Sequence, residues 1–464
     1  MSEVDCRGRS VAWGQELTSG RQGDATLGTA GYDVLIVGGS AAGNNAAQSA
    51  RRQYPDKTVA VVRREPESIV PWHLHRVLQP GYDVRRQVLP DVGYEKRGID
   101  LIPGEAVSLD RDGHTVTLQD GRGIGYERLV LATGSEPVMP PFPGCDRANV
   151  RPVLKSLAYL EDLARTVEQA GNVIILGGGF TGMEFADECV KRPGVPVTVV
   201  EALACCLYHA FDEHLCRTAE RTLTGCGARI LTATRVQAGL VEGDRLTGVV
   251  LSTGEQLPAD VVLIGAGARP LVSLAREAGL PLDPLGAILV DETMRTEDQR
   301  IFAAGDCAAK TVFLTGKPSA LRTAGIAAAE GRMAGANLFE VASTQSGTVQ
   351  AYCTVLCGVP FITVGLTQRY AREEGIAVVA GEASRPEEDS GVQARVIFAR
   401  ETHTLLGVQV VGLGDQRAAD TLAQWVRAPV TPQRLLTADD LPGTPVPELV
   451  LLLQEATQEA VKAL

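Results

Sequence analysis

Apolar and polar positions follow two rhythms along this chain. Near its start, Tyr32-Asp33-Val34-Leu35-Ile36-Val37 runs into Gly38-Gly39-Ser40-Ala41-Ala42-Gly43 and then into small helix formers through Arg52. That order predicts a strand, a tight turn and a helix, and a second apolar strand over 58–62 completes a β-α-β unit. The plan returns at Val173-Ile174-Ile175-Leu176, followed by Gly177-Gly178-Gly179-Phe180-Thr181-Gly182, a helix over about 183–191 and a strand over 197–200 that ends at Glu201. Alternating segments broken by turn dipeptides follow each unit. Asp112-Gly113 and Asp120-Gly121 precede Leu129-Val130-Leu131-Ala132-Thr133-Gly134; Gly243-Asp244 and Thr253-Gly254 precede Val261-Val262-Leu263-Ile264-Gly265-Ala266-Gly267. From about residue 348 the period becomes two, over 392–398 and 405–411, before helical stretches ending at 448–464. The pattern predicts an α/β chain: two doubly wound modules, each a parallel sheet with an antiparallel meander, then an α+β domain.

In a Gly-x-Gly-x-x-Gly turn the glycines permit the tight bend, close approach of a pyrophosphate to the backbone, and close packing of helix on strand. Gly177, Gly179 and Gly182 supply all three. Glu201 follows at the end of the next strand, where its carboxylate can accept hydrogen bonds from a ribose 2′-hydroxyl and would repel a 2′-phosphate, which favours NADH over NADPH. The first copy carries Ser40 at the middle position, and its second strand ends in Arg63-Arg64-Glu65. Ile301-Phe302-Ala303-Ala304-Gly305-Asp306 adds a strand ending in a glycine and a carboxylate that could accept from a ligand hydroxyl.

Composition narrows the class. The 464 residues carry 44 basic and 56 acidic side chains, a net charge of −12, which argues against a nucleic-acid partner. Ten cysteines are too few for a disulfide scaffold. Apolar runs stop short of the ~18 residues of a membrane span, and a cytoplasmic location is the expectation. Residues 1–30 read as a polar, flexible N-terminal tail.

Together, GGSAAG at 38–43, LATGSEP at 131–137, GGGFTG at 177–182, GAGARP at 265–270 and IFAAGDC at 301–307 resemble the FAD-dependent pyridine nucleotide–disulfide oxidoreductases. The resemblance is greatest to the branch of coenzyme A disulfide reductase, NADH oxidase, NADH peroxidase and persulfide reductases, and it runs from about Asp33 to the C-terminus. It implies Rossmann-like FAD- and NAD-binding domains: FAD over 31–152 and 280–347, NAD over 153–279, and a C-terminal dimerisation domain over 348–464 that makes a homodimer. FAD would meet Gly38, Ser40, Ala41, Ala42 and Gly43 with its pyrophosphate, Arg63, Arg64, Glu65 and Val107 with its adenosine, Ala132, Thr133 and Gly134 nearby, and Gly305 and Asp306 with its ribityl chain. NADH would lie on Gly177, Gly179, Gly182, Met183 and Glu201, beside Gly265, Ala266 and Gly267. Phe180 falls where the family has a tyrosine covering the flavin, and is either an aromatic lid or a packed core residue; Glu184 matches a carboxylate near the nicotinamide.

The stretch in which disulfide-reducing relatives carry their cysteine reads Ser68-Ile69-Val70-Pro71-Trp72-His73-Leu74-His75-Arg76, with Trp72 in the cysteine's place. An indole has neither the acidity nor the redox couple of a thiol. His73 and His75 are proton donors beside the flavin or ordinary histidines of a short helix. Cys205, Cys206, Cys353 and Cys357 read as unbridged thiols, the last two too far apart on a strand to bridge each other. Cys205, Cys206, His209, His214 and Cys216 match no closed zinc pattern, so no metal is expected. Gly443-Thr444-Pro445-Val446-Pro447 holds no histidine where some relatives have a histidine–proline pair. The expected activity is hydride transfer from NADH to FAD and onward to a non-disulfide acceptor: oxygen, a quinone, an electron-carrier protein or a small organic oxidant. The alternatives are a disulfide or persulfide reductase with a relocated cysteine, and a flavin-binding partner subunit that does not turn over.

Overall fold

The structure, a computed structural model, describes residues 30–385, 391–437 and 447–464. Of the tail expected over 1–30, residues 1–29 lie outside the described residues, as does the Gly443–Val446 segment, while Ala30 already begins the first strand. The first unit forms as β1 (Ala30–Val37), α1 (Ala41–Gln53) and β2 (Val59–Arg63). Val34 to Val37 are buried, as a central parallel strand covered on both faces requires. β2 lies parallel to β1 on one side and β3 (Gly123–Leu131) on the other, so Ile36 faces Val61 and Val130. Ile99–Pro103 extends the sheet beyond β2, and Ile301–Ala303 pairs with the end of β3. The antiparallel strands Thr115–Leu118 and Ala106–Asp110 attach to the beginning of β3, so the first meander and the parallel strands make one seven-stranded sheet.

The second unit repeats the plan with β4 (Val173–Leu176), α2 (Phe180–Val190) and β5 (Val197–Val200). β6 (Val261–Ile264) lies beside β4, Val150–Pro152 beyond it, and Ala228–Leu231 beyond β5, all parallel. Here the meander of Val236–Glu242, Arg245–Leu251 and Gln256–Pro258 is a separate three-stranded sheet. Pro258 offers no N–H to a ladder, so the strand stops and restarts at β6, where the first copy runs on without a break.

One close helix contact closes the first module, and an exchange of segments joins the two modules. Helix α3 (Ala324–Ala336) crosses α1 at Gly331 and Gly335, where a Cβ would stand 2.1 Å from the Ala42 carbonyl oxygen and 2.2 Å from that of Ala46, so the helices meet backbone to backbone. Segment 68–89 leaves the first sheet altogether: Ile69, Val77, Leu78 and Val84 are buried in the core of the second module, with Leu356, Phe361 and Val411 of the C-terminal sheet. In return, Val272, Leu274 and Ala275 pack into the first core, upstream of residue 280.

The C-terminal unit is a five-stranded antiparallel sheet in the order β7 (Ala351–Leu356), Val359–Gly365, Leu405–Val411, Val392–Ala399 and Val378–Arg385. Helices Gln416–Arg427 and Pro447–Val461 cover it with Leu422, Leu449 and Leu453. Cys357, expected as an unbridged thiol, forms a disulfide with Cys226 across a Cα separation of 6.6 Å. Their separation of 131 positions hid the pairing, because it depends on the C-terminal sheet docking on the second module. No helix among the described residues is long and apolar enough to cross a membrane.

Candidate functional site

In the first module, Gly38 adopts φ +112° and a Cβ there would stand 2.1 Å from the Ala132 oxygen; one at Gly43 would stand 1.7 Å from the Gly38 oxygen. The turn is thereby pressed onto 132–134, where Thr133 Oγ1 donates to the Leu271 carbonyl at 2.6 Å and Gly134 borders open space. Ser40 precedes α1 as its N-cap with φ −95°, and its hydroxyl makes no capping bond. Ala41 and Ala42 are buried beneath it. The first N–H groups of α1 are left to meet an anion. Gly305, at φ +81°, lies over this turn, and Asp306 follows with Oδ2 accepting from Ser135 Oγ at 2.7 Å and 3.9 Å from Lys155 Nζ. A glycine cradle at a helix N-terminus with a carboxylate facing it fits the pyrophosphate and ribityl hydroxyls of FAD.

Two residues absent from the sequence reading hold that carboxylate's loop. Glu330 Oε2 accepts from the Gly305 N–H at 2.9 Å and lies 3.2 Å from Lys310 Nζ, which donates to the Gly305 carbonyl at 2.6 Å. Both side chains are almost fully buried, and burial pushes the Glu330 carboxyl up to about 7. The signal was present: Glu330 is the only acid in the small-residue helix α3. Arg63 is placed differently from its expected role. Its guanidinium, 5% exposed, donates to both Asp91 carboxylate oxygens at 2.6 and 2.7 Å and to Ser68 Oγ at 3.0 Å. It fastens the loop after β2, leaving Arg64 and Val107 exposed and Glu65 half-buried; Arg64 there pairs with Glu65 and Glu105.

The second module reproduces the cradle. Gly177 has φ +106° with a Cβ position 2.5 Å from the Gly265 oxygen, and a Cβ at Gly182 would stand 1.8 Å from the Gly177 oxygen. Gly265 is thus the packing partner of the turn, while Ala266 and Gly267 are exposed beside it. A Cβ at Gly179 would meet nothing within 4 Å, so that position faces open space. The Met183 side chain is buried in the core. Glu201 lies beside the turn: Oε2 accepts from the Gly178 N–H at 2.5 Å and Oε1 from the Leu203 N–H at 2.6 Å, and each oxygen keeps a further lone pair that fits a ribose diol. Cys206 is packed under Gly178, and both Cys205 and Cys206 are buried.

Where segment 68–89, α2 and β7 meet, His73, His75, Phe180 and Glu184 come together. Phe180 and Glu184 lie four residues apart on one face of α2. His75 Nδ1 donates to Glu184 Oε2 at 3.2 Å, and the His73 ring stands edge-on to that of His75 at 5.8 Å. His73 holds a left-handed φ of +55°, a strained backbone for a histidine, and partial burial, with Arg76 and His75 nearby, lowers its pKa below the ordinary value. Trp72 is 41% exposed at the edge of the group. β7 adds two residues that sequence reasoning missed. Tyr352 OH donates to Glu184 Oε1 at 3.3 Å and Thr354 Oγ1 donates to the same oxygen at 2.9 Å. The Tyr352 ring stacks on Phe180 with centroids 3.6 Å apart. Nothing in the period-two pattern of 351–356 points to α2. Among the described residues no group of histidine, cysteine and carboxylate side chains is arranged to hold a metal.

Comparison with known proteins agrees with this geometry. Residues 32–331 match the family described as pyridine nucleotide-disulphide oxidoreductase. The chain is 32% identical to rhodocoxin reductase of Rhodococcus erythropolis over 283 residues, 60% of this chain and 65% of that protein. It is 27% identical to an NADH oxidase of Enterococcus faecalis over 425 residues, 88% and 94% of the two chains. The solved NAD-dependent persulfide reductase of A. fulgidus superposes with a TM-score of 0.84 at 27% identity, over 93% of this chain and 82% of that one. The chain belongs to the pyridine nucleotide–disulphide oxidoreductases, enzymes that bind FAD and NADH.

Proposed function

We propose that this NADH-dependent flavoprotein passes its electrons to an acceptor other than a disulfide, and that a small acidic electron-carrier protein is the acceptor that segment 68–89 fits best. The observation that carries the reading is the indole of Trp72 in place of the redox cysteine. Cys353, between Tyr352 and Thr354, faces the opposite side of β7 and packs on the C-terminal core. Burial pushes the Cys353 thiol up to about 12, so no thiolate is available for exchange. Bound FAD would supply a redox centre able to take a hydride from NADH and release electrons to the acceptor.

The chain's own residues bind and orient. Gly177, Gly179 and Gly182 let the NADH pyrophosphate reach the N-terminus of α2, and Glu201 holds the ribose diol and excludes a 2′-phosphate. Phe180 covers the hydride path until nicotinamide displaces it. Glu184 accepts from His75 Nδ1 and so orients that ring at the junction. Trp72, Arg76, Arg85 and Arg86 are exposed on segment 68–89, with Arg85 3.5 Å from Glu161, and basic side chains on a chain of net charge −12 would steer a carrier of acidic surface to that segment. The similarity to rhodocoxin reductase supports the carrier; that to NADH oxidase makes oxygen the competing acceptor. A homodimer through the C-terminal unit, which exposes Leu451 and Val461, belongs to the same proposal.

Anaerobic mixing with NADH should bleach the flavin within seconds. At saturating NADH, an acidic one-electron carrier protein should give a higher kcat/KM than oxygen, a quinone or coenzyme A disulfide, with a rate that falls as salt rises. Disulfide turnover abolished by a single cysteine substitution would replace this reading with the relocated-thiol one. A flavin that NADH leaves oxidised would replace it with the partner-subunit one. Light scattering reads the dimer.

A further inference from the structure

Phe180, Glu184 and Tyr352 form a two-point contact that neither module makes alone. Phe180 is the first residue of α2, directly after the open Gly179 position, and its ring is stacked at 3.6 Å and 27° on Tyr352, with Phe211 edge-on at 6.5 Å. The Tyr352 hydroxyl reaches Glu184 one turn along the same face of α2, at 3.3 Å, where Thr354 also donates. Burial, reinforced by the Glu184 charge, holds the Tyr352 phenol well above its ordinary pKa, so the hydroxyl stays a donor. Tyr352 comes from the C-terminal sheet, whose β7–Val359 turn is fastened to the second module by the Cys226–Cys357 disulfide and by the Cys357 N–H donating to Asp187 Oδ1 at 2.6 Å. The tyrosine is therefore fixed from a separate structural unit, and Phe180 is the movable member of the pair.

We infer that Tyr352 is the positioning residue that holds Phe180 over the nicotinamide path, so that nicotinamide access is opposed by an aromatic stack supplied by the C-terminal unit. The inference rests on the reading that NADH binds at Gly177–Gly182. Nicotinamide gains its place only by separating the two rings, and the cost of that separation lowers the affinity for NAD(H). An aromatic pair contributes about 0.5–1.5 kcal/mol beyond its buried area, so releasing Phe180 should tighten binding roughly 2- to 10-fold.

Calorimetric titration of NAD+ into the oxidised holoenzyme reads this without turnover. Tyr352→Leu should bind NAD+ roughly 2- to 10-fold more tightly than wild type with unchanged FAD content, whereas Tyr352→Phe, which keeps the stack and loses only the hydroxyl, should stay within about 2-fold. In a Phe180→Ala background the Tyr352→Leu change should have no effect on NAD+ affinity. Unchanged or weaker binding in Tyr352→Leu, or an effect that persists without Phe180, overturns the inference. Wild-type holoenzyme that binds no NAD+ overturns the nucleotide assignment along with it. If Tyr352→Leu does not fold, Phe180→Leu removes the same stack from the other side and must tighten NAD+ by a similar factor.

Discussion

The two glycine turns are close copies in backbone and different in what surrounds them. In each, the first glycine has a positive φ and abuts the strand end across the sheet, Gly38 on Ala132 and Gly177 on Gly265, and the third abuts the first, Gly43 on Gly38 and Gly182 on Gly177. The strand after each helix then diverges. β5 ends in Glu201, whose carboxylate stays beside its own turn; β2 ends in Arg63, whose guanidinium turns away to Asp91. The first turn is covered instead by Gly305–Asp306, with Lys310 and Glu330 beneath. On the proposed function, the first turn would hold a resident cofactor against this loop, and the second would hold an exchanging one beside Glu201.

The largest effects should come from the shared part. A methyl at Gly43 or Gly182 would stand 1.7 or 1.8 Å from a carbonyl oxygen, which only movement of the turn relieves, at a cost of about 3 kcal/mol, the upper end for overpacking. Gly43→Ala should purify without flavin colour. Gly182→Ala should keep the flavin yet fail to be reduced by NADH, and loss of flavin there would show that the turns are not independent.

Glu330 belongs to the first turn alone. Its carboxyl is raised from 4.5 to about 7, so between those values the folded protein keeps a proton that the unfolded chain has released. Its contribution is full below 4.5 and is lost as pH rises through 7, a decline on the order of 3 kcal/mol across the window. Denaturant unfolding at pH 5 and pH 7.5 should show that decline in wild type and a flatter profile in Glu330→Gln. Glu201, peculiar to the second turn, should act on selectivity: Glu201→Gln should lower kcat/KM for NADH by roughly 10- to 100-fold, as expected for losing charge-assisted bonds to a diol, and NADPH far less. Equal losses with both nucleotides would mean that Glu201 serves only its Gly178 bond.

What the sequence exposed and what it hid follow from range. The glycine turns, Glu201 and Asp306 were legible because each serves a contact set by local geometry at a strand end. The gathering of His73, His75, Phe180 and Glu184 was anticipated only through family resemblance; what brings them together is the burial of Val77 and Leu78 in the second core. Tyr352, Thr354 and the Cys226–Cys357 pair were hidden because they depend on a third unit docking on the second. Arg63 misled because strand-end position suggests a ligand contact, while its partner Asp91 lies 28 residues on, across a loop. The separate second meander rests on Pro258, a local signal whose consequence shows only beside unbroken β3.

The smallest effect tests the middle position, where the copies differ in residue but not in backbone. Ser40 and Gly179 are both helix N-caps with negative φ, −95° and −73°, so neither requires glycine for conformation, and the Ser40 hydroxyl makes no capping bond that a change would remove. The middle glycine of the second turn borders open space, where a Cβ meets nothing within 4 Å, and on the proposed function that space is the ligand's. Ser40→Gly should alter stability by no more than about 0.5–1 kcal/mol, through the added freedom of the unfolded chain, and should leave flavin retention on a desalting column unchanged. Gly179→Ser should also fold, since the space is open, and should weaken NAD+ measurably by filling it. A flavin lost from Ser40→Gly would mean that the hydroxyl binds FAD directly, and the two middle positions would then differ in role as well as in residue.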